Sequence, residues 1–158
     1  MPDNLYLLDT LAWSEQQAAL LRRLAAGERV NDLDWPHVIE QIEDVGKAEL
    51  RACQSLLSRA LEHLLKLCLW PEHATAAHWR REARSFLRDA AKAFSPSMRQ
   101  FIDVTELYRV AREDVLAEPY DGQPSVEPAA TCPITLEELL AGATRIQSLI
   151  ERLILKDT

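Results

Sequence analysis

Glu40, Glu43 and Asp44 fall within five residues of one another, and no Lys or Arg occurs between Asp32 and Asp44. Three carboxylates at this spacing can share a proton, hold a divalent ion or anchor a cationic partner. On a continuous helix Glu40 and Asp44 point to the solvent side, while Glu43 falls on the shoulder of an apolar face. A carboxylate taken out of water needs a partner or a shifted pKa, because desolvating it alone costs several kcal/mol. Arg80 sits on the matching shoulder of a later helix, beside Trp79. The spacing therefore predicts a Glu43–Arg80 pair flanked by Trp79, first of all as an ion pair that fixes helix register. Two alternatives use the same residues. One is a pocket for a small molecule or peptide. The other is a metal-dependent or acid/base enzyme using Glu40, Glu43 and Asp44 with Arg80 and a nearby histidine.

Other chemistries find less support. Carboxylate-bridged metal bundles use Glu-x-x-His, which is absent here, and His37-x-x-Glu40 is the reverse order. His37, His63, His73 and His78 fall at helix starts, edges and a turn, where surface or capping roles are expected. There is no Gly-x-Ser-x-Gly, no cysteine with an evident histidine partner and no glycine-rich phosphate loop. Cys53 and Cys68 lie on an apolar helix face and read as small core residues. Cys132 lies in a proline-rich stretch with no cation near it in sequence. No cofactor, metal ligand set or nucleophile is expected.

The elements that carry these residues follow from periodicity. Trp13, Leu20, Leu21 and Leu24, with Gln17 between, make a stripe on a helix from Thr10 to Ala26, closed by Gly27. Asp34 is a good N-cap and Pro36 fits the first turn. From there apolar residues at 39, 42, 45, 50, 53, 57, 60, 61, 64 and 68 share about a third of the circumference, giving one long helix to Pro71 with room for a bend at Gly46, in preference to two helices jointed there. A third helix is predicted from Thr75 to Phe94, with Trp79, Ala83, Phe86, Leu87, Ala90 and Phe94 inside and Arg81, Arg84, Arg88 and Lys92 outside. Ser95-Pro96 predicts the start of a fourth helix reaching Glu118, with a stripe of Phe101, Val104, Tyr108, Ala111 and Val115. Residues 119–134 hold four prolines and one glycine and read as an irregular crossing. Thr135-x-x-Glu138 is a capping-box pattern opening a last helix expected to run to Thr158. Its seam of Leu139, Ala143, Ile146, Ile150 and Leu153 either closes the bundle or meets a partner. The fold expected is all-α, an antiparallel bundle of four main helices plus a C-terminal helix: residues 1–140 as the bundle and 141–158 as a helical extension of the same domain.

The 158 residues carry a net charge of −7, with seven acids and no Lys or Arg between Glu113 and Glu138. Generic polyanion binding is disfavoured. The cationic strip on the third helix lacks interleaved aromatic residues and a helix-turn-helix pattern, so no nucleic-acid partner is expected. No apolar run approaches the roughly 20 residues of a membrane span, and the N-terminus lacks a signal-peptide pattern. A membrane partner is therefore not expected either, and a reducing, cytoplasmic setting is.

Several motifs occur in a defined order: Trp13-Ser14-Glu15-Gln16-Gln17-Ala18-Ala19-Leu20-Leu21; Asp34 followed by Val38-Ile39-Glu40-Gln41-Ile42-Glu43-Asp44-Val45-Gly46; His63-Leu64-Leu65-Lys66 shortly before a proline; Trp79-Arg80; Ser95-Pro96-Ser97; and Cys132-Pro133-Ile134-Thr135. Together they resemble the bacterial family called domain of unknown function 29, up to about Leu140. That resemblance implies a compact helical bundle and no assigned activity. The chain departs from the family pattern at Lys47-Ala48, where a Ser or Thr is usual, and in a helix that continues past the Cys-Pro segment. The function expected is a non-enzymatic protein–protein interaction module that binds an unknown protein or associates with itself as a homo-oligomer, with the enzyme above as the alternative.

Overall fold

Apolar side chains at helical spacing and a scarcity of glycine lead where the patterning points. In the computed structural model, which describes residues 5–120, 122–124 and 126–154, the chain is all-α and forms no strand among those residues. The helices are α1 (Leu5–Leu8), α2 (Thr10–Ala25), α3 (Trp35–Leu69), α4 (Ala76–Ala93), α5 (Val104–Ala117), α6 (Leu136–Leu140) and α7 (Ile146–Leu153), with 3-10 turns at Pro96–Gln100 and Gly142–Thr144. The four main helices expected are thus α2 to α5. The chain divides into two compact units, Met1–Ala48 and Glu49–Thr158. Residues of α3 contribute to both.

In the first unit, α2 starts at Asp9, whose carboxylate accepts from Ala12 N–H at 3.0 Å. It ends in a Schellman turn: Glu28 N–H reaches Arg23 O, Gly27 N–H reaches Leu24 O, and Gly27 takes φ +87°. That backbone region costs an L side chain strain and glycine almost nothing.

In the second unit, α3 and α4 are joined by a short turn and run antiparallel. Cys53 lies against Ala90, His63 against Phe86 and Lys66 against Trp79, so residue numbers rise on one helix as they fall on the other. The core gathers Leu57, Leu61, Leu64, Ala83, Leu87 and Tyr108, all fully buried. The fourth helix differs from expectation. Pro96–Gln100 is a separate 3-10 turn, and Asp103, whose carboxylate accepts from Glu106 N–H at 3.2 Å, caps a new start for α5. Phe101, at the break, is exposed and does not join the stripe.

The C-terminal part is also broken where one helix was expected. The Thr135/Glu138 capping box forms and opens α6, but α6 closes at Leu140. A Cβ at Gly142 would stand 2.6 Å from Leu149 Cδ1 of α7 and 3.3 Å from Leu87 Cδ1 of α4, so a side chain there would have to displace the Leu149 tip. This bend lets both α6 and α7 turn apolar sides inward. Leu139, Ile146, Ile150 and Leu153 are buried and Ala143 packs on the same core, so the proposed partner seam is occupied by the chain itself. The expected continuation to Thr158 lies outside the described residues beyond Ile154.

Residues 119–134 are tied down at two points. Tyr108 OH donates to Ala129 O at 2.6 Å, and Ala129 N–H donates to Leu153 O at 2.8 Å beside a bridge between Pro128 and Ile154. Burial, with Cys132 beside it as a further cause, pushes the Tyr108 phenol up to about 12, so it remains a donor.

Candidate functional site

The first unit is held by a polar clasp between α2 and the start of α3. Trp13 Nε1–H donates to Asp34 Oδ2 at 3.0 Å, and Asp34 N–H donates to Gln17 Oε1 at 2.8 Å. His37 Nδ1 lies 2.7 Å from the same Asp34 oxygen, and Gln41 Nε2–H donates to Tyr6 OH at 2.8 Å. The Tyr6 ring stacks on His37 at 4.0 Å and meets Trp13 edge-on at 4.8 Å. Partial burial would raise the Asp34 carboxyl, but hydrogen bonds from His37 and Trp13 outweigh it and hold the group below its ordinary value. Asp34, His37, Val38 and Gln41 recur at steps of three and four, so they share one helical face, and Val38 is buried there.

Turning that face inward leaves another outward. Trp35, Ile39, Ile42 and Val45 follow at steps of four, three and three, and they are 50, 52, 69 and 66% exposed. They form an apolar strip three turns long, about 15 Å at 1.5 Å per residue. The same sequence stripe changes character along α3: Cys53, Leu57, Ala60, Leu61 and Leu64 are fully buried, whereas Ile39, Ile42 and Val45 are not. Leu7, Leu8 and Leu11 of the same unit are exposed as well.

Of the carboxylates singled out by sequence, Glu43 flanks this strip while Glu40 and Asp44 lie round the helix from it, and Glu43 is not buried. Its side chain is 62% exposed and its Oε2 is 3.9 Å from Lys47 Nζ, which also lies 3.8 Å from Asp44 Oδ1. Lys47, one turn on, is the local cation that ends the acidic run, so the desolvation that would demand a distant arginine does not arise. Glu40 is exposed too. Trp79 and Arg80 belong to the second unit. Arg80 there donates from both terminal nitrogens to Gln147 Oε1 of α7 at 3.4 Å. Trp79 is buried with its ring stacked on His73 at 4.8 Å and edge-on to Tyr120 at 5.0 Å.

Lys66 Nζ faces that aromatic group, 5.0 Å from the Tyr120 ring and 6.0 Å from Trp79. Beside it Glu62, Lys66, Asp114, Val115, Glu118 and Tyr120 line an open cleft of about 200 Å³. His73 Nδ1 accepts from Thr75 N–H at 3.1 Å, a helix-start role. His63 departs from the surface role expected of it. Its ring packs edge-on to Phe86 at 5.4 Å, and burial, with Lys66 adding to it, pushes its pKa down to about 4. Burial raises all three thiols, Cys68 to about 11, and all three cysteines are free. No group of three or more His, Cys, Asp or Glu placed to hold a metal ion occurs among the described residues. On α4 the side chains of Arg81, Arg84, Arg88 and Lys92 are exposed, as their spacing predicts.

The exposed strip was the part that sequence reading missed. Its residues were visible as apolar, but no signal in the sequence marks them as outward, since polar residues at the spacing of Asp34, His37 and Gln41 ordinarily mark a solvent face.

Fold and surface define an all-α protein whose first unit displays an apolar helix face. The chain belongs to the family described as domain of unknown function DUF29, which matches residues 5–143. It is also similar to a crystal structure described as an alpha-helical protein of unknown function from Rhodospirillum rubrum, at 28% identity and a TM-score of 0.67, covering 94% of this chain and 96% of that one. No curated protein matches. None of the helices described is long and apolar enough to cross a membrane.

Proposed function

We propose that the protein is a non-enzymatic interaction module that offers the outer face of α3 in its first unit to a helix of another chain. The observation that carries this reading is the exposure of Ile39, Ile42 and Val45 on a stripe whose continuation is core. Exposing such side chains forgoes about 25 cal/mol for each Å² of apolar surface, which a docked helix would recover. Support also comes from Trp35 at the start of the strip, since indoles are enriched at binding hot spots. The free, buried Cys53 and Cys68 accord with a bacterial, cytoplasmic setting in which thiols stay reduced.

Sedimentation velocity on the full chain tests this, alone and with amphipathic helical peptides of varied charge. A complex is expected with a peptide or a second copy, lost in an Ile39→Ser, Ile42→Ser double variant whose helical circular dichroism is unchanged. A wild-type chain that stays monomeric and free with every helix offered overturns the reading.

A further inference from the structure

The second unit carries a charged face of its own. At about 100° per residue, Arg81, Arg84, Arg88 and Lys92 fall within one arc of about 80° on α4, opposite the buried Trp79, Ala83, Leu87 and Ala90. The four side chains are exposed and form a narrow row about 16 Å long at 1.5 Å per residue. Ala77 is the one other residue in that arc, so no acid shares it. Glu82 and Asp89 lie round the helix, where Glu82 faces His63 at 3.6 Å and His78 at 4.0 Å. None of the four cations forms an ion pair among the described residues, whereas Arg99, Arg109, Arg112 and Arg152 each do. Arg84, Arg88 and Lys92 follow at steps of four, an arrangement of like charges that slightly opposes the helix until an anion lies along it.

The row offers charge and no apolar anchor. A docked protein draws its affinity from buried aromatic or apolar residues, and exposed ion pairs alone contribute little. Single strands need aromatic rings on which bases stack, and the arc has none. A line of phosphates is the partner that such a face binds on charge alone, because each cation releases counterions condensed on it. Missing aromatic residues and a missing helix-turn-helix remove base reading, not backbone contact. The chain's net charge of −7 does not cancel the row, since exposed charges farther than about 8–10 Å away are largely screened at physiological salt. A row one helix face wide fits a strand of phosphates, whereas a bilayer presents a plane of charge.

We infer that the outer face of α4 binds the phosphate backbone of duplex nucleic acid without reading its sequence. This concerns a different face from the α3 strip and stands independently of the interaction reading above. Arg81, Arg84, Arg88 and Lys92 each contact a phosphate, giving a dissociation constant of about 1–100 μM at physiological salt.

Fluorescence anisotropy of a labelled DNA duplex of about 20 base pairs, titrated with the full chain at several salt concentrations, tests it. Four phosphate contacts set a log–log salt slope of about −3.6, so affinity is expected to fall about 150-fold between about 50 and 200 mM salt. A second duplex of unrelated sequence is expected to bind equally. Arg84→Gln combined with Arg88→Gln is expected to weaken binding at least tenfold at about 50 mM salt and to halve the slope, with helical circular dichroism unchanged. Arg84→Lys combined with Arg88→Lys is expected to retain both affinity and slope. The Ile39→Ser, Ile42→Ser variant is expected to bind the duplex as the wild type does. No anisotropy change at about 50 mM salt overturns the inference, and so does binding that the glutamine variant leaves unchanged. Binding that the glutamine variant loses but that is tighter to phosphatidylglycerol vesicles or to an oligoglutamate peptide makes a membrane or an acidic protein the occupant, and overturns it too.

Discussion

The Trp13 indole N–H donates to the Asp34 carboxylate at 3.0 Å, joining residues 21 apart in sequence across the connection between α2 and α3. The contact does two jobs at once. It fixes α2 against the start of α3, and it commits the Asp34 side of that helix inward, which leaves Ile39 and Ile42 outward. Gln17, almost fully buried, completes the arrangement by accepting from Asp34 N–H at 2.8 Å. Replacing it by leucine keeps the volume and orphans that N–H. Gln17→Leu is therefore expected to destabilise the first unit by about 1–2 kcal/mol. Hydrogen exchange should show faster exchange in α2 and at Val38 with little change in α4. Acidification is expected to act on the same amides. Asp34 is depressed in the folded protein, so its stabilising effect is present above its ordinary value and is lost as pH falls from there through the lower folded value.

Gly46 lies within α3, and a Cβ built on it meets nothing within 4 Å. Its φ is not in the left-handed region, so neither space nor backbone opposes a side chain. Gly46→Ala should stabilise the protein by about 0.5–1 kcal/mol by reducing the freedom of the unfolded chain and raising helix propensity. A higher urea midpoint with an unchanged slope checks it, and a lower midpoint would show that the glycine serves some need other than helix formation.

The long helices were legible in sequence and their interruptions were not. The spacing from Asp34 to Pro71 set α3 within two residues, because a proline at each end and a steady apolar stripe leave few alternatives. The same stripe logic carried the fourth helix straight through Phe101 to Glu118, since Phe101 keeps the period that Asp103 then restarts. Gly142 falls inside the last helix expected from Thr135 to Thr158, and the break there has Leu87 and Leu149 packed against it. The acidic cluster shows the same limit. Periodicity placed Glu43 on the shoulder of the apolar face, and Ile39 and Ile42 on the face itself, but a stripe says which side is apolar and not whether anything covers it. Only the clasp through Asp34, His37 and Gln41, a tertiary arrangement, settles which side of those turns is buried.

Tyr108 is fully buried and its hydroxyl donates to Ala129 O at 2.6 Å. Tyr108→Phe preserves the ring and leaves that carbonyl unpaired. The expected cost is about 1–2 kcal/mol, read as a lower unfolding midpoint. Because Ala129 N–H donates to Leu153 O, the Ala129 amide is also expected to lose exchange protection, which a change confined to the core around the ring would not produce.

His63 provides the pH signature of the second unit. Its ring packs on Phe86, its Nδ1 is buried without a hydrogen-bond partner among the described residues, and burial followed by the nearby Lys66 charge holds its pKa near 4 against an ordinary value of 6.5. The unfolded chain thus takes up a proton between pH 6.5 and 4 that the folded chain refuses. Above pH 6.5 both states are neutral and the group makes no difference. As pH falls towards 4 stability declines, by up to about 3 kcal/mol from this group alone. Glu82 Oε2, 3.6 Å from Nε2, works in the opposite direction but does not reverse the shift. His63→Leu removes the titration and strands no hydrogen bond at Nδ1. Urea unfolding at pH 7, 5.5 and 4.5 is expected to show the wild type losing stability more steeply than the variant, with the difference largest at the lowest pH. Parallel pH profiles for the two proteins would mean that His63 is protonated in the folded state and paired with Glu82.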